Sequence, residues 1–132
     1  TAAALAVALG LCLLWGNLLL KPLIGRIRPF NVQDAITLLI TAPLDYSFPS
    51  GHTMSSFAAA MVLLLTDRRM GIPAMLLAGL IAFSRMYLYV HYPTDVLAGL
   101  LMGCLFGWLA VRIVQKLHAR RFQRNQQEKP HS

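Results

Sequence analysis

The sequence predicts an all-α protein, a transmembrane helical bundle with about four spans. Of the 132 residues, 57% are hydrophobic and only 13% are charged, a balance typical of membrane proteins and not of soluble domains. The apolar residues form four runs that are long enough, or nearly so, to cross about 30 Å of hydrocarbon at about 1.5 Å per helical residue. The predicted spans are residues 2–20, 51–66, 72–90 and 95–114.

The first span has neither an initiating Met nor a basic segment before its apolar run, so a cleaved signal peptide is not expected and the chain can be a fragment. Cys12 and Cys104 each fall within an apolar run, where we expect a small buried side chain and not a disulfide or metal ligand. With five acidic residues and no Cys or His cluster of zinc-site spacing, the chain offers too few ligands for a two-metal site. We expect no metal and no other cofactor.

Basic residues indicate the orientation of the spans. Arg68 and Arg69 join the second and third spans, and the segment after Val111 is strongly basic. The positive-inside rule places both in the cytoplasm, so four spans leave both termini inside and the other helix ends outside. Four cations lie at those outer ends against the same rule, namely Lys21, Arg26, Arg28 and Arg85. We infer that they are retained for a bound anion.

Two units are predicted, a transmembrane domain over residues 1–116 and a basic cytoplasmic tail over residues 117–132. The tail is polar and Gln-rich, which favours a frayed helix on anionic lipid followed by disorder. No nucleic-acid partner is expected, because no aromatic interleaving or known RNA or DNA module accompanies the basic run. Residues 31–48 form the long outer connection, and its apolar stretch 35–40 can be an interfacial helix or strand that covers a pocket.

Residues 21–29 (KPLIGRIRP) end the first span. In a continuous helix, Lys21 and Arg28 are seven residues apart and project from nearly the same face, whereas Arg26 points well away from Lys21. Two cations on one face can bind a phosphate. The alternative is a pair of interfacial cations whose charged ends reach the headgroups.

Residues 49–52 (PSGH) open the second span, with Ser50 as the expected N-cap. A helix start presents free N–H groups and the positive end of the helix dipole, and Gly51 permits an oxyanion to approach the backbone. His52 in the first turn is placed to face a phosphate bound there. The alternative is a capped helix with an incidental histidine.

Residues 84–95 (SRMYLYVHYPTD) link the last two spans. We expect Thr94 to cap the fourth span and Asp95 to lie in its first turn, four residues after His91. A carboxylate at that spacing can accept the imidazole N–H, fix its tautomer and leave the other nitrogen unprotonated for attack. The alternative is an interfacial turn followed by a helix-start Asp.

Taken together, K-x6-R-P, P-S-G-H and S-R-x5-H-x3-D resemble the complete signature of the type 2 phosphatidic acid phosphatase (PAP2) family, which is related to the vanadium haloperoxidases. Every defined position is matched, in order, between Lys21 and Asp95. The resemblance implies a helical bundle with its active site at the outer membrane face, no metal, and a phosphohistidine intermediate. Membrane members of the family usually have six spans, so four spans correspond to part of that fold or to a minimal bundle.

The resemblance also implies individual roles. His91 is then the nucleophile, Asp95 the residue that orients it, and His52 the general acid that protonates the leaving oxygen. The phosphoryl oxygens would be bound by Lys21, Arg28 and Arg85, with Ser50 and the backbone N–H of Gly51 completing the cradle. Positioned charge of this kind is the main catalytic effect expected for phosphoryl transfer.

Gly99, Gly103 and Gly107 recur at every fourth position of the last span, and small residues at that spacing allow close helix contact. We expect this stripe to pack the last span against the second. A homodimer face is the alternative.

The sequence therefore favours a metal-independent lipid-phosphate phosphatase in the cell membrane, acting on undecaprenyl diphosphate, phosphatidylglycerophosphate or phosphatidic acid. The outward-facing site favours undecaprenyl diphosphate among these. One alternative is a lipid phosphotransferase that uses the same intermediate. Another is a phosphate-binding or transport protein without turnover, against which the pair of His91 and Asp95 argues, because binding needs cations but no nucleophile.

Overall fold

Helices joined by short turns make up the described parts of the chain, which are residues 1–32 and 45–128 of the computed structural model. The α-helices are α1 (Ala2–Leu11), α2 (Lys21–Ile24), α3 (Pro29–Val32), α4 (Gly51–Thr66), α5 (Arg68–Tyr87) and α6 (Pro93–Gln127). A π-helical segment, Cys12–Leu20, joins α1 to α2. No strand occurs in these two ranges, and the predicted all-α class is confirmed.

Within residues 1–32 and 45–128, three helical stretches are long and apolar enough to cross a membrane, and α4 is a shorter apolar helix. The three stretches are Ala2–Asn31, Arg68–Tyr87 and Pro93–Gln127. This agrees with a multi-pass bundle of about four spans. The 16 residues of α4 measure about 24 Å, less than the hydrocarbon thickness of about 30 Å, so at least one end of α4 lies below the headgroups.

The first span is not one regular α-helix. Gly16 in the π-helical segment faces Met54 of α4, and a Cβ at Gly16 would overlap the Met54 side chain. Gly25 then ends α2 in the left-handed region at φ +60°, with its N–H bonded to the Lys21 carbonyl at 2.9 Å. The prediction that Lys21 and Arg28 share the face of one helix is therefore wrong, because the chain turns at Gly25 before it reaches Arg28.

The glycine stripe of α6 lies directly against α4. A Cβ at Gly99 would lie 2.7 Å from the Ser50 carbonyl oxygen, and one at Gly107 would lie 2.6 Å from the Ala58 carbonyl oxygen. The two helix starts are also joined by a hydrogen bond from the Ser50 N–H to the Asp95 carbonyl at 3.1 Å. The predicted packing of the last span against the second is confirmed, and it holds the second and third motifs together.

A tight hairpin links α4 and α5 at the opposite end. Asp67 is its one connecting residue and caps α5, because its Oδ1 accepts a hydrogen bond from the Arg69 N–H at 2.9 Å. Gly71 lies so close to Leu64 that a Cβ would overlap the α4 backbone. Since the two helices run antiparallel from this hairpin, the start of α4 and the end of α5 lie at the same end of the bundle.

Apolar side chains from the first span, α4 and α6 form the main core. Ala8, Cys12, Met54 and Val62 are buried there together with Ala110. Neither Cys12 nor Cys104 forms a disulfide. Cys12 is thus the small buried side chain that the sequence predicts.

Helix α6 continues to Gln127, beyond the domain boundary drawn after residue 116. Its last part is exposed, and Arg124 pairs with Glu128 at 3.4 Å across one helical turn. Gln, Lys, Arg and Leu favour the helical state, so the helix extends past the apolar segment where the sequence analysis expected fraying. The end of the predicted disordered tail, 129–132, and most of the proposed covering segment 31–48 lie outside the described residues.

Candidate active site

Four segments bring the motif residues together at one end of the bundle. They are the chain from α2 to α3, the start of α4, the turn after α5, and the start of α6. They surround a cavity of about 80 Å³ lined by Lys21, Arg28, Asp45, Gly51, His52, Arg85, Val90 and His91. Six of the eight predicted site residues thus line one cavity, and the exceptions are Ser50 and Asp95.

Ser50 stands at the N-cap position of α4, as predicted, but its hydroxyl does not bond to the helix backbone. The side chain is fully buried and its Oγ lies 2.9 Å from the Thr53 Oγ1. Because that hydroxyl points into the protein, the start of α4 offers the cavity Gly51 and His52, and not the Ser50 side chain.

His91 is buried, and its two ring nitrogens have different surroundings. Nε2 lies 3.2 Å from Nη1 of Arg28, and since a guanidinium can only donate, Nε2 is the acceptor and carries no proton. In the neutral ring the proton is then on Nδ1, which lies 3.7 Å from Oδ2 of Asp95 and has no hydrogen-bond partner among the described residues. The Ser47 backbone also faces the ring. Of the two ring nitrogens, Nε2 is therefore the one with a lone pair, and in this structure Nη1 of Arg28 binds it.

The turn before His91 reverses the chain within a few residues. Tyr89 adopts the left-handed region at φ 59°, and its N–H bonds to the Met86 carbonyl at 3.0 Å. The Val90 carbonyl accepts a hydrogen bond from Nη1 of Arg28 at 2.9 Å. These contacts fix the backbone just before His91, as expected where strain is kept at a functional turn.

Asp95 is fully buried behind His91 and is bound by several donors. Its Oδ1 accepts from Nη1 of Arg26 at 2.8 Å, and its Oδ2 accepts from the Tyr92 N–H at 2.8 Å and from the Ser47 hydroxyl. The α6 helix begins at Pro93 with Tyr92 as N-cap, so the prediction that Thr94 caps it is wrong. Proline fits the first helical turn because it has no N–H to leave unpaired, and the Thr94 hydroxyl instead accepts from Arg26 at 2.6 Å.

Asp45, which the sequence analysis did not single out, lies between two of the predicted phosphate ligands. Its carboxylate accepts from Nη2 of Arg28 at 2.6 Å and from Nζ of Lys21, and its backbone carbonyl accepts from Nε of Arg28 at 2.8 Å. Lys21 and Arg28 therefore converge on one anion, although Lys21 begins α2 and Arg28 lies in the connection between α2 and α3. Arg85 also lines the cavity and forms no ion pair with any described residue.

Burial and charge set the protonation of the groups in the turns around the cavity. The pKa of His91 is lowered from 6.5 to about 4, first by burial of the ring and then by the positive charge of Arg28, and the opposing effect of Asp95 is smaller. Burial would raise the pKa of Asp45, but hydrogen bonds and attraction from Lys21 and Arg28 lower it below its ordinary value of 3.8. At neutral pH the site thus has a neutral His91 and a charged Asp45.

Sequence reasoning missed two residues of the site, Asp45 and Ser47, and assigned Arg26 a different partner. Arg26 was expected to be retained for a bound anion and to point away from Lys21, and it binds the Asp95 carboxylate and does not line the cavity. A signal for Asp45 was available, because a chain with five acidic residues has one of them shortly before the PSGH motif, next to a region rich in cations. Ser47 carried no comparable signal, since its role depends on how a loop meets the start of α6.

The chemistry available at the cavity is that of an anion site with a nucleophile. Two carboxylates, those of Asp45 and Asp95, offset part of the positive charge in or behind the cavity. The four cations there are Lys21, Arg26, Arg28 and Arg85. His91 and His52 line the same cavity, so a candidate nucleophile and a second titratable ring can flank one bound group. Within residues 1–32 and 45–128, no group of three or more His, Cys, Asp and Glu side chains is arranged to hold a metal ion.

A sequence model of the PAP2 superfamily matches residues 1–119. The undecaprenyl-diphosphatase of Sulfolobus acidocaldarius is 42% identical over 94 residues, which are 70% of this chain and 46% of that protein. The lipid A 4'-phosphatase of Bacteroides thetaiotaomicron is 37% identical over 111 residues, which are 79% of this chain and 49% of that protein.

Among solved structures, the transmembrane PAP2-type phosphatidylglycerolphosphate phosphatase of Bacillus subtilis superimposes with a TM-score of 0.70 at 30% sequence identity. The match covers 85% of this chain and 58% of that one. The chain thus spans about half the length of the two curated relatives.

Proposed function

This chain belongs to the PAP2 superfamily, and from that premise we propose that it forms the catalytic part of an integral-membrane lipid-phosphate phosphatase. The substrate is a phosphomonoester or a diphosphate of a membrane lipid. The observation that carries the proposal is the position of the unprotonated Nε2 of His91 on a small cavity lined by Lys21, Arg28 and Arg85.

In the proposed reaction, Nε2 of His91 attacks phosphorus and the bond from phosphorus to the lipid oxygen breaks. His52, in its protonated form, gives a proton to that oxygen, so the lipid alcohol, or the lipid monophosphate when the substrate is a diphosphate, leaves with its departing oxygen protonated. Water then attacks the phosphohistidine, and His52 takes up a proton from this water. Inorganic phosphate leaves and both histidines return to their starting states.

The cations bind the phosphoryl oxygens throughout. When a phosphate enters, Nη1 of Arg28 moves from Nε2 of His91 to a phosphoryl oxygen, which frees the lone pair for attack. Arg85 has no carboxylate partner among the described residues and binds the phosphate without losing another contact. The N–H of Gly51 at the start of α4 supplies a further donor.

A lipid substrate is supported by a second, larger opening of about 310 Å³ that adjoins the cavity. Lys21, Asp45, Gly51 and His52 line both spaces. The larger opening continues between the first span and α4 along Leu9, Cys12, Leu13, Asn17, Met54 and Ser55. Its walls change from charged to apolar with distance from His91, as a phosphate attached to a hydrocarbon chain requires.

The identity of the lipid is a narrower proposal. The relatives and the structural neighbour are named for three different substrates, undecaprenyl diphosphate, lipid A and phosphatidylglycerolphosphate. We favour undecaprenyl diphosphate, because we place the site on the outer face, with the Asp67–Arg69 hairpin and the basic end of α6 in the cytoplasm. Phosphatidylglycerophosphate and phosphatidic acid remain in the panel to be tested. No homodimer is required, since the glycine stripe is already used within the chain.

The test is phosphate release from these lipids by the purified protein, with EDTA present throughout. We expect turnover with at least one of them, unaffected by chelation, because the cations and the nucleophile come from the chain itself. Transfer of phosphate to an added alcohol in preference to water would instead favour the phosphotransferase alternative. Tight phosphate binding without release from any lipid would favour the non-catalytic one, and loss of turnover on chelation with recovery on adding Mg²⁺ or Zn²⁺ would contradict the mechanism.

A further inference from the structure

Arg26 lies outside the defined positions of the three motifs and does not line the cavity, yet it contacts three residues at the start of α6. Its Nη1 donates to Oδ1 of Asp95 at 2.8 Å and to Oγ1 of Thr94 at 2.6 Å. Its guanidinium carbon lies 4.1 Å from the centre of the Tyr92 ring, a cation–π distance. Its backbone carbonyl accepts from the Ser47 N–H at 2.8 Å. The side chain is about one-third exposed, so it reaches Asp95 from the surface.

Asp95 needs such a partner because it is fully buried. A carboxylate removed from water is strongly destabilising unless it is paired and hydrogen-bonded. The two oxygens divide their contacts: Oδ1 binds Arg26, while Oδ2 binds Ser47 and Tyr92 and is the oxygen 3.7 Å from Nδ1 of His91. Arg26 therefore holds the oxygen that does not face His91, and so sets the direction in which the other oxygen points.

We propose that Arg26 is a positioning residue for His91, acting through Asp95: it fixes the carboxylate in its orientation and offsets its charge, so that the imidazole keeps a free Nε2. The inference rests on the proposed phosphatase function and deepens it. Without Arg26, the Asp95 charge would act on His91 without that compensation, and Oδ1 would lose its partner, so that only Ser47 and Tyr92, both on Oδ2, would hold the carboxylate. The uncompensated charge favours the protonated imidazole, in which Nε2 cannot attack.

The charge around His91 comes from every segment that packs against it. The charged and titratable groups are Lys21 and Arg28 from the first segment, Asp45 from the loop before α4, His52 from α4, Arg85 from α5 and Asp95 from α6. Arg26 is not part of this set, because it binds the Asp95 oxygen that does not face His91. Removing it takes away a positive charge and leaves the others in place, so the direction of the effect on His91 does not depend on the exact contribution of each.

The experiment compares Arg26→Gln with Arg26→Lys, and uses Arg112→Gln as a matched control. Arg112 is also a surface arginine over an aromatic ring, 5.5 Å from the centre of Trp108, but it lies on α6 away from the site. Histidine-labelled protein is titrated by NMR in detergent, with His91→Ala used to assign the His91 signal. We expect the His91 titration to move up by about one pH unit in Arg26→Gln, to stay near wild type in Arg26→Lys, and to be unchanged in Arg112→Gln.

Turnover gives the second readout. Because Arg26 does not touch the cavity, Arg26→Gln should lower kcat about fivefold near pH 4 and have little effect near pH 6, with little change in KM. The acid limb of kcat/KM should move up together with the His91 titration. An unchanged titration and pH profile in Arg26→Gln would overturn the inference, and a lower Tm alone would then identify Arg26 as an anchor between the first span and α6.

A second variant and a substrate-free measurement separate the possible outcomes. If Arg26→Gln does not fold, Tyr92→Leu is the second variant, because it removes the ring beneath the guanidinium. It should raise the pH of the His91 titration by less than Arg26→Gln would. An unchanged His91 titration in Tyr92→Leu would count against the inference. The NMR titration needs no substrate. An inactive wild-type protein with the expected shift would therefore contradict the phosphatase function and leave the Arg26 relationship standing.

Discussion

Asp45 accepts a hydrogen bond from Nη2 of Arg28 at 2.6 Å. A carboxylate of the chain is therefore already bound to a cation that, in our proposal, binds the substrate phosphate. Lys21 binds the same carboxylate. An incoming phosphate must share these two cations with Asp45 or displace it. Because the Asp45 side chain is 53% exposed, this competition is screened by solvent and is expected to be modest.

Asp45→Asn should therefore bind anions more tightly than the wild type. An exposed ion pair contributes about 0.2–1 kcal/mol, so without it the inhibition constant for inorganic phosphate should fall by up to about fivefold. The KM for the lipid should fall with it. Asp67→Asn is the control, since Asp67 caps α5 at the opposite end of the bundle. Weaker phosphate inhibition in Asp45→Asn would show that Asp45 orders the cations and does not compete for them.

The pH dependence of turnover should reflect the low pKa of His91. A histidine at its ordinary pKa of 6.5 is about 3% neutral at pH 5, whereas one with a pKa of about 4 is about 90% neutral there. The nucleophile is active when neutral, so protonation of His91 should not lower kcat/KM as the pH decreases from 6.5 to 5. The loss of kcat/KM that His91 causes should instead centre near pH 4. The measurement is kcat/KM between pH 4 and 8, with detergent-matched stability controls. An acid limb at 6.5 that coincides with the NMR titration of His91 would contradict the assignment.

The glycine stripe gives a prediction about stability. A Cβ at Gly103 would overlap the Met54 carbonyl and approach the Ala58 nitrogen at 3.1 Å, and backbone cannot move aside easily. Gly103→Ala should therefore destabilise the bundle by about 1–3 kcal/mol, the usual range for overpacking. Gly79→Ala is the matched control on α5, where nothing lies within 4 Å, and it should be neutral or slightly stabilising. Thermal unfolding of the two variants in the same detergent makes the comparison, and equal Tm values would show that α6 is not held against α4 in this way.

Much of this architecture follows from the sequence, because hydrophobic runs and the spacing of small residues are local properties. The all-α class, the approximate spans and the packing of Gly99, Gly103 and Gly107 against α4 are confirmed. The break at Gly25 was not predicted, since a helix and a turn both accommodate K-P-L-I-G and the outcome depends on tertiary contacts. Asp45, and the pairing of Arg26 with Asp95, were missed for a similar reason. Their partners are distant in the sequence, and charge pairs of that kind leave no periodic signal.

Topology can be tested independently of chemistry. We predict that the hairpin at Arg68 and Arg69 is cytoplasmic and that Tyr92 faces out, because basic residues are retained on the cytoplasmic side. Single cysteines at positions 68 and 92, on a background lacking Cys12 and Cys104, are exposed in intact cells to a reagent that cannot cross the membrane. Labelling at 92 and not at 68 is expected. The reverse pattern would place the proposed active site on the cytoplasmic face and remove the argument for undecaprenyl diphosphate.

The last prediction separates the two histidines by their chemistry. His91→Ala should abolish the phosphoenzyme, because no other side chain on the cavity is placed for attack on a bound phosphate. His52→Ala should retain phosphoenzyme formation but slow it, since the departing lipid oxygen is left unprotonated, and loss of a general acid lowers the rate by roughly 10² to 10⁴. Both rings line the same cavity, so a loss of cavity shape alone would affect the two variants in the same way.

The choice of substrate distinguishes a chemical role from a structural one. p-Nitrophenyl phosphate has a good leaving group that needs little protonation, so it should partly rescue His52→Ala and leave His91→Ala inactive. Rapid-quench trapping of acid-labile, base-stable phosphoprotein with the lipid and with p-nitrophenyl phosphate measures both. Phosphoprotein in His91→Ala, or rescue of His91→Ala in place of His52→Ala, would reassign the roles while leaving the family membership intact. Failure of p-nitrophenyl phosphate to rescue either variant would show that His52 does more than protonate the leaving group. Because His52 lines the cavity, its further contribution would then be to bind the phosphate.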